Sequence, residues 1–129
     1  AARAISSGSE RVVVSIQTGI PEGFEGVDIG PETIKKYKNA LQSAATVFWN
    51  GPLGVFETPP FNQGTNEIAH CMASLSAKTI VGGGDTIAAV DRVGEGKNMS
   101  HLSTGGGASL EYIEFGKLPG IEALSGVVA

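Results

Sequence analysis

The sequence predicts an α/β fold, a partial doubly wound parallel sheet with helices on both faces, and three observations predict it. Short β-branched and aromatic runs, Thr46-Val47-Phe48-Trp49, Thr79-Ile80-Val81 and His101-Leu102-Ser103, alternate with stretches of helical periodicity. That alternation is the signature of parallel strands joined by helical crossovers. Each run also leads into a glycine-bearing loop. Finally, the 129 residues are 41% apolar and 17% charged, a composition that suits one folded domain or a large piece of one.

Taken in order, Val12-Val13-Val14 is β-branched and is expected to be a strand. Gly19 to Gly30 (GIPEGFEGVDIG) has no useful periodicity and reads as a connection. Pro31 suits a first helical position and Glu32 a first turn, and Ile34, Tyr37, Leu41 and Ala45 follow at helical steps. The run 46–49 is a buried strand, and NGPLGVFETPP is the loop after it. Phe61, Thr65, Ile68, Ala69, Met72 and Leu75 suggest the next helix. The run 79–81 is a strand, Gly82 to Gly84 its loop, and Asp85 to Val93 a helix. His101 to Ser103 is a strand, Thr104 to Gly107 its loop, and Ala108 to Phe115 a helix. From Gly116 through Pro119 and Gly120 the chain reads as a tail with a short apolar end. About four strands in a Rossmann-like, three-layer arrangement make a partial sheet, with an edge for other residues or a second copy to cover.

Composition narrows the function. Nine Lys plus Arg against thirteen Asp plus Glu give a net charge of −4, without the clustered cations that nucleic-acid binding requires. No apolar run approaches the ~20 residues that span a bilayer. Ala1 to Glu10 has neither the basic start nor the apolar core of a secretory signal. One cysteine, Cys71, excludes an internal disulfide and suits a reducing compartment. The expected location is cytoplasmic, with no nucleic-acid or membrane partner. Glycine is abundant, 19 residues, and clusters at 82–84 and 105–107. An acidic chain that holds an anion must do so largely with backbone N–H groups, and glycine permits that approach.

In a parallel sheet the strand C-termini share one edge, where ligands bind. Three loops fall there: NGPLGVFE, GGGDT and STGGGAS. Each runs from a strand toward a helix, whose free N–H groups attract phosphate. Together they suggest a polyphosphate site. Asp85, at a helix start, can ligate Mg²⁺, which takes one or two carboxylates plus phosphate oxygens. Thr86 and Asn50 can reach phosphate oxygens. Glu57 would be repelled by phosphate and suits ribose hydroxyls. Gly105, Gly106 and Gly107 offer donors for charge on a moving phosphoryl group.

Plainer readings stand beside these. Gly82 to Gly84 could be a tight turn, Asp85 and Thr86 helix caps, Asn50-Gly51 a turn pair, and Glu57 a solvated acid. Their shared edge is what favours a site. His70, His101 and Cys71 lack metal-ligand spacing, so zinc is not expected. No G-x-x-x-x-G-K-[ST], G-x-S-x-G or G-x-G-x-x-G pattern occurs, which counts against Walker-type NTPases, α/β-hydrolases and NAD-binding domains.

Five segments resemble phosphoglycerate kinases in family order: GIPEGFEGVDIGPET (19–33), FWNGPLGVFE (48–57), VGGGDTIAAV (81–90), HLSTGGGASLEYIE (101–114) and LPGIEAL (118–124). The resemblance implies a two-domain glycolytic kinase that moves a phosphoryl group between 1,3-bisphosphoglycerate and ADP, giving 3-phosphoglycerate and ATP. This chain resembles the latter part of the C-terminal, nucleotide-binding domain over 1–129. The resemblance implies that Gly26, Val27 and Val55 line the adenine slot and Glu57 takes the ribose. It implies that Asn50, Gly83, Gly84 and Thr86 meet the phosphates, with Gly51 and Pro52 also among the nucleotide-binding residues. The resemblance further implies that Asp85 is the magnesium-linked acid and that Gly105 to Gly107 stabilise the moving phosphoryl group. ATP or ADP with Mg²⁺ is the implied ligand, and the parent is expected to be a monomer.

The family's acceptor domain and its glycine-alanine-lysine segment have no counterpart in this sequence, so the chain alone is expected to be inactive. Residues 1–10 resemble nothing recognisable, and Phe24-Glu25 stand where Trp-Met is common in the family. A non-catalytic nucleotide-binding module is the alternative.

Overall fold

Successive side chains of a strand point to opposite faces, and the apolar runs of this chain are buried accordingly. In the computed structural model, which describes residues 1–126, three strands pair in parallel in the order β1 (Thr46–Asn50), β2 (Lys78–Gly82), β3 (His101–Ser103). Trp49 lies opposite Val81, and Val81 opposite Leu102. Helices α1 (Pro31–Leu41), α2 (Gln63–Ala73), α3 (Gly84–Val93), α4 (Gly106–Phe115) and α5 (Pro119–Leu124) complete the described elements, with a 3₁₀ turn at Gly96–Asn98.

One face of the sheet carries the core. Val47, Trp49 and Val81 pack with Ile68, Ala69 and Met72 of α2, Val90 of α3, and Met99. The periodicity of α2 puts those residues on one stripe, and α1 packs outside it through Leu41. Over the opposite face Phe48, Ile80 and His101 share a groove with Ala108 and Tyr112 of α4 and Ile121 of α5. Helices therefore flank the sheet on both sides, as expected. No helix among the described residues is long and apolar enough to cross a membrane.

Two expectations need correction. Val12-Val13-Val14 is not a strand: the run stays largely exposed, and its pairing stops at an isolated bridge between Ala2 and Arg11. The N-terminal amine donates to the Val12 carbonyl, and Val12 N–H to Ala1. β-Branched residues favour strands when a neighbour lets them pack on a pleated surface; here the neighbouring segment pairs only through single bridges. Among the described residues the sheet thus has three strands rather than about four. The second correction is α5, where a tail was expected. Pro119 opens it at a first helical position, a signal that Gly120 obscured. The apolar end of that tail, Val127-Val128, lies outside the described residues.

The helix ends differ by small steps. α4 begins at Gly106 rather than Ala108, which brings two of the clustered glycines into its first turn. α1 stops at Leu41, short of Ala45, and α2 at Ala73, short of Leu75.

Two surface pairs tie neighbouring segments to α2. Lys38 of α1 donates to Glu67 of α2 at 2.5 Å, and His70 of α2 meets Glu95 at 2.8 Å. Donation from Lys38 holds the Glu67 carboxyl below its ordinary 4.5. Asn98 and then His70 do the same for Glu95. A carboxyl lowered on folding stabilises above its unfolded pKa, and that contribution disappears as pH falls through the folded value. Thermal midpoints should therefore drop on acidification below about 4.5. In Glu67→Gln that acid limb should be shallower. Superimposable curves for the two proteins would show that the pair contributes nothing.

Candidate nucleotide-phosphate site

The three loops after β1, β2 and β3 meet at the C-terminal edge of the sheet. Gly83 N–H donates to the Ser103 carbonyl at 2.8 Å, which joins the second loop to the third strand. Asn50 Oδ1 lies against both Gly83 and Gly106; a β-carbon built on Gly83 would stand 2.9 Å from it. The backbones of Gly83 and Gly106 are themselves in contact, close enough that a β-carbon on Gly106 would lie 2.7 Å from Gly83 N. Asn50, Gly83 and Gly106 form one cluster, and the starts of α3 and α4 stand side by side.

The first loop is held from two directions. Trp49 Nε1 donates to the Gly51 carbonyl at 2.7 Å, and Gly51 N–H donates to Thr86 Oγ1 at 2.7 Å. Gly51 takes φ +95° and Gly83 φ +89°, backbone that side chains disfavour. Thr86 is buried, and its hydroxyl oxygen is engaged with Gly51, so it couples the first loop to α3. Asp85, one residue earlier in the first turn of α3, is exposed. No hydrogen bond or ion pair holds its carboxylate among the described residues. Gly84 and Gly107 are open to solvent, with nothing near a β-carbon position.

Beyond Asn50 the same loop forms one wall of a second feature. Pro52, Leu53, Gly54 and Val55 face Gly26, Val27, Asp28 and Ile29 across an open groove of about 310 Å³. Val55 N–H donates to the Val27 carbonyl at 2.9 Å, closing its floor. Glu57 is exposed two residues further on. The Asn50–Val55 segment therefore runs from the sheet edge beside the starts of α3 and α4 to this groove.

Sequence reasoning missed several residues that shape this region. Ser109 Oγ donates to the Gly105 carbonyl at 2.9 Å and meets Ser103 Oγ at 3.0 Å, bracing the third loop. Thr65 accepts from Leu53 N–H at 3.1 Å. Asp28 accepts from Ile29 N–H at 2.8 Å and from Gly64 N–H at 2.9 Å. Burial still leaves its carboxyl above the usual range, since desolvation outweighs those bonds. Ser109 was the one with a local signal, four residues after Gly105 on a helix start.

A match to the phosphoglycerate kinase family model extends over residues 1–117. The chain belongs to the phosphoglycerate kinase family. A phosphoglycerate kinase from Chlamydia muridarum is 56% identical over 125 residues, covering 96% of this chain and 31% of that protein. One from Clostridium botulinum is 57% identical over 113 residues, covering 88% of this chain and 28% of that protein. The solved phosphoglycerate kinase of Coxiella burnetii superposes with a TM-score of 0.84 at 42% identity, over 94% of this chain and 31% of that one.

This chain thus spans about a third of the length of the phosphoglycerate kinases it matches. Residues 1–10, which resembled nothing in the sequence, lie inside the matched span, and Leu118–Leu124 lies beyond it. The structure accounts for part of the N-terminal match. Ala2 is buried with Val27 and Phe61, and it bridges Glu25 through paired backbone bonds of 3.0 and 2.8 Å. Arg3 lies over the Phe24 ring at 4.5 Å. The N-terminal residues therefore support the Gly26–Ile29 wall of the groove.

Among the described residues no group of three or more His, Cys, Asp or Glu could hold a metal ion alone. Asp85 is a lone exposed carboxylate in the first turn of α3, where the starts of α3 and α4 stand side by side.

Proposed function

We propose that this chain supplies the magnesium-nucleotide site of a phosphoglycerate kinase, as the latter part of its nucleotide-binding domain. The whole enzyme moves a phosphoryl group reversibly between 1,3-bisphosphoglycerate and ADP, giving 3-phosphoglycerate and ATP. One observation carries the reading: Asn50 at the end of β1, Gly83 between β2 and α3, and Gly106 at the start of α4 pack into one cluster. Backbone N–H groups at two adjacent helix starts suit an extended phosphate chain, because each carries partial positive charge.

The groove between Gly26–Val27 and Pro52–Val55 takes the adenine, and Glu57 accepts hydrogen bonds from the ribose. Asn50 and the Gly83-Gly84 backbone hold phosphate oxygens, and Thr86 keeps Gly51 in place beneath them. N–H groups of Gly105 to Gly107 face the transferring group, where preorganised donors stabilise developing charge. Mg²⁺, when bound with the nucleotide, neutralises charge between phosphate oxygens. The acceptor substrate is held by parts of the enzyme outside these 129 residues. Alone, the chain lacks the placement of both reactants, worth roughly 7–11 kcal/mol, and should show little or no turnover.

Calorimetry with MgADP tests the binding reading. The full-length enzyme should bind MgADP and not NADH; no heat with MgADP would overturn it. Turnover by the 129-residue chain at the full-length rate would overturn the division of labour. Glu57→Ala in the full-length enzyme should raise the nucleotide KM several-fold, the effect of about one lost hydrogen bond. The KM for 3-phosphoglycerate should not change. Equal shifts in both constants would remove Glu57 from the ribose.

A further inference from the structure

The groove assigned to the base has no rigid element of its own. Both walls are loops, and loops need anchoring to present a fixed surface. Asp28 lies in one wall, and its two carboxylate oxygens are divided between the two structures that meet there. Oδ1 accepts from Ile29 N–H within its own wall, and Oδ2 accepts from Gly64 N–H in the first turn of α2, a contact 36 residues distant in sequence. The opposite wall closes over the same carboxylate. A β-carbon on Gly54 would lie 2.5 Å from Asp28 Oδ1, and one on Gly64 would collide with it as well. Glycine at both positions is what admits the side chain. α2 is anchored in turn: Ile68, Ala69 and Met72 are buried in the main core.

We infer that Asp28 is a positioning residue for nucleotide-base binding, clamping the Gly26–Ile29 wall to the start of α2 so that the groove facing Pro52–Val55 has a fixed width. The inference rests on the nucleotide reading above. Asp28 does not itself touch the phosphates. Asparagine in its place has one acceptor oxygen and an NH₂ group where two acceptors are needed, so one wall contact must break. The part of the affinity that depends on the base then falls, while the part that depends on phosphate remains.

The test compares two probes on the full-length enzyme, MgADP and magnesium tripolyphosphate, the second lacking base and sugar. In Asp28→Asn the Kd for MgADP should rise about tenfold, the scale of one lost hydrogen bond to a charged group. The inhibition constant of tripolyphosphate and the KM for 3-phosphoglycerate should stay within twofold. A variant with an unchanged MgADP Kd, or one that loses both probes equally, would overturn the inference. Should Asp28→Asn fail to fold, amide hydrogen exchange on the unaltered enzyme decides. MgADP should then slow exchange at Ile29 and Gly64 more than tripolyphosphate does, and equal protection by the two would overturn the inference. If the unaltered enzyme binds no MgADP, the nucleotide reading fails first and takes this inference with it. Binding with the base preference intact in the variant overturns the inference alone.

Discussion

Asp85→Ala in the full-length enzyme should lower turnover by roughly 10²–10³-fold, the usual cost of removing a preorganised charge-stabilising group, while the protein stays folded. Asp85 is exposed in the first turn of α3, and no neighbour in the described structure depends on its carboxylate. Its one structural contribution is favourable interaction with the helix N-terminus, worth about 0.3–1 kcal/mol. The thermal midpoint should accordingly fall by only a few degrees. A coupled assay at saturating 3-phosphoglycerate, with Mg²⁺ varied, reads the effect. The variant should also need more Mg²⁺ for half-maximal rate. Equal turnover in the two proteins would remove the magnesium assignment and leave Asp85 as a helix-start acid.

The second large effect is expected at Gly106. Gly106→Ala should destabilise by about 2 kcal/mol, in the range of an overpacked core, and should abolish most nucleotide binding. The added methyl group would meet Asn50 Oδ1, Gly83 N and Gly83 Cα together. Two of those three are backbone, held by the Gly83-to-Ser103 hydrogen bond, so the clash cannot be relieved by turning one side chain. The contact would open by moving α4 away from α3, which separates the two helix starts. Gly107→Ala is the control, because its β-carbon would meet nothing within 4 Å. Denaturant melts of both variants check the prediction. Equal loss in the two would show that the Gly106 contact is not what holds the loops together, and the three-loop site would lose its main support.

These predictions combine information of two kinds, and the chain shows where one ends. Helix starts, glycine runs and strand ends are local: a handful of neighbours sets each, so Asn50, Gly83, Asp85 and Gly106 could be assigned to one sheet edge from the sequence. The same local rule misread Val12-Val13-Val14, because strand formation depends on a partner strand and propensity cannot supply one. It also missed α5, where Gly120 weakened the helical signal behind Pro119. Asp28 carried no local signal at all. Its partner Gly64 is far away in sequence, and the two glycines that admit its carboxylate matter only after the loops have folded together.

By itself, then, the sequence determined the α/β alternation, the parallel sheet with helices on both faces, and the family. Those depend on side-chain periodicity and on motifs that persist along the chain. Tertiary structure alone decided that Thr86 anchors Gly51, that Asn50 seats between Gly83 and Gly106, and that Asp28 joins a groove wall to α2. The physical reason is that each of these is a contact across many residues, made at hydrogen-bond or van der Waals range. Such contacts are fixed by how the core packs beneath the loops.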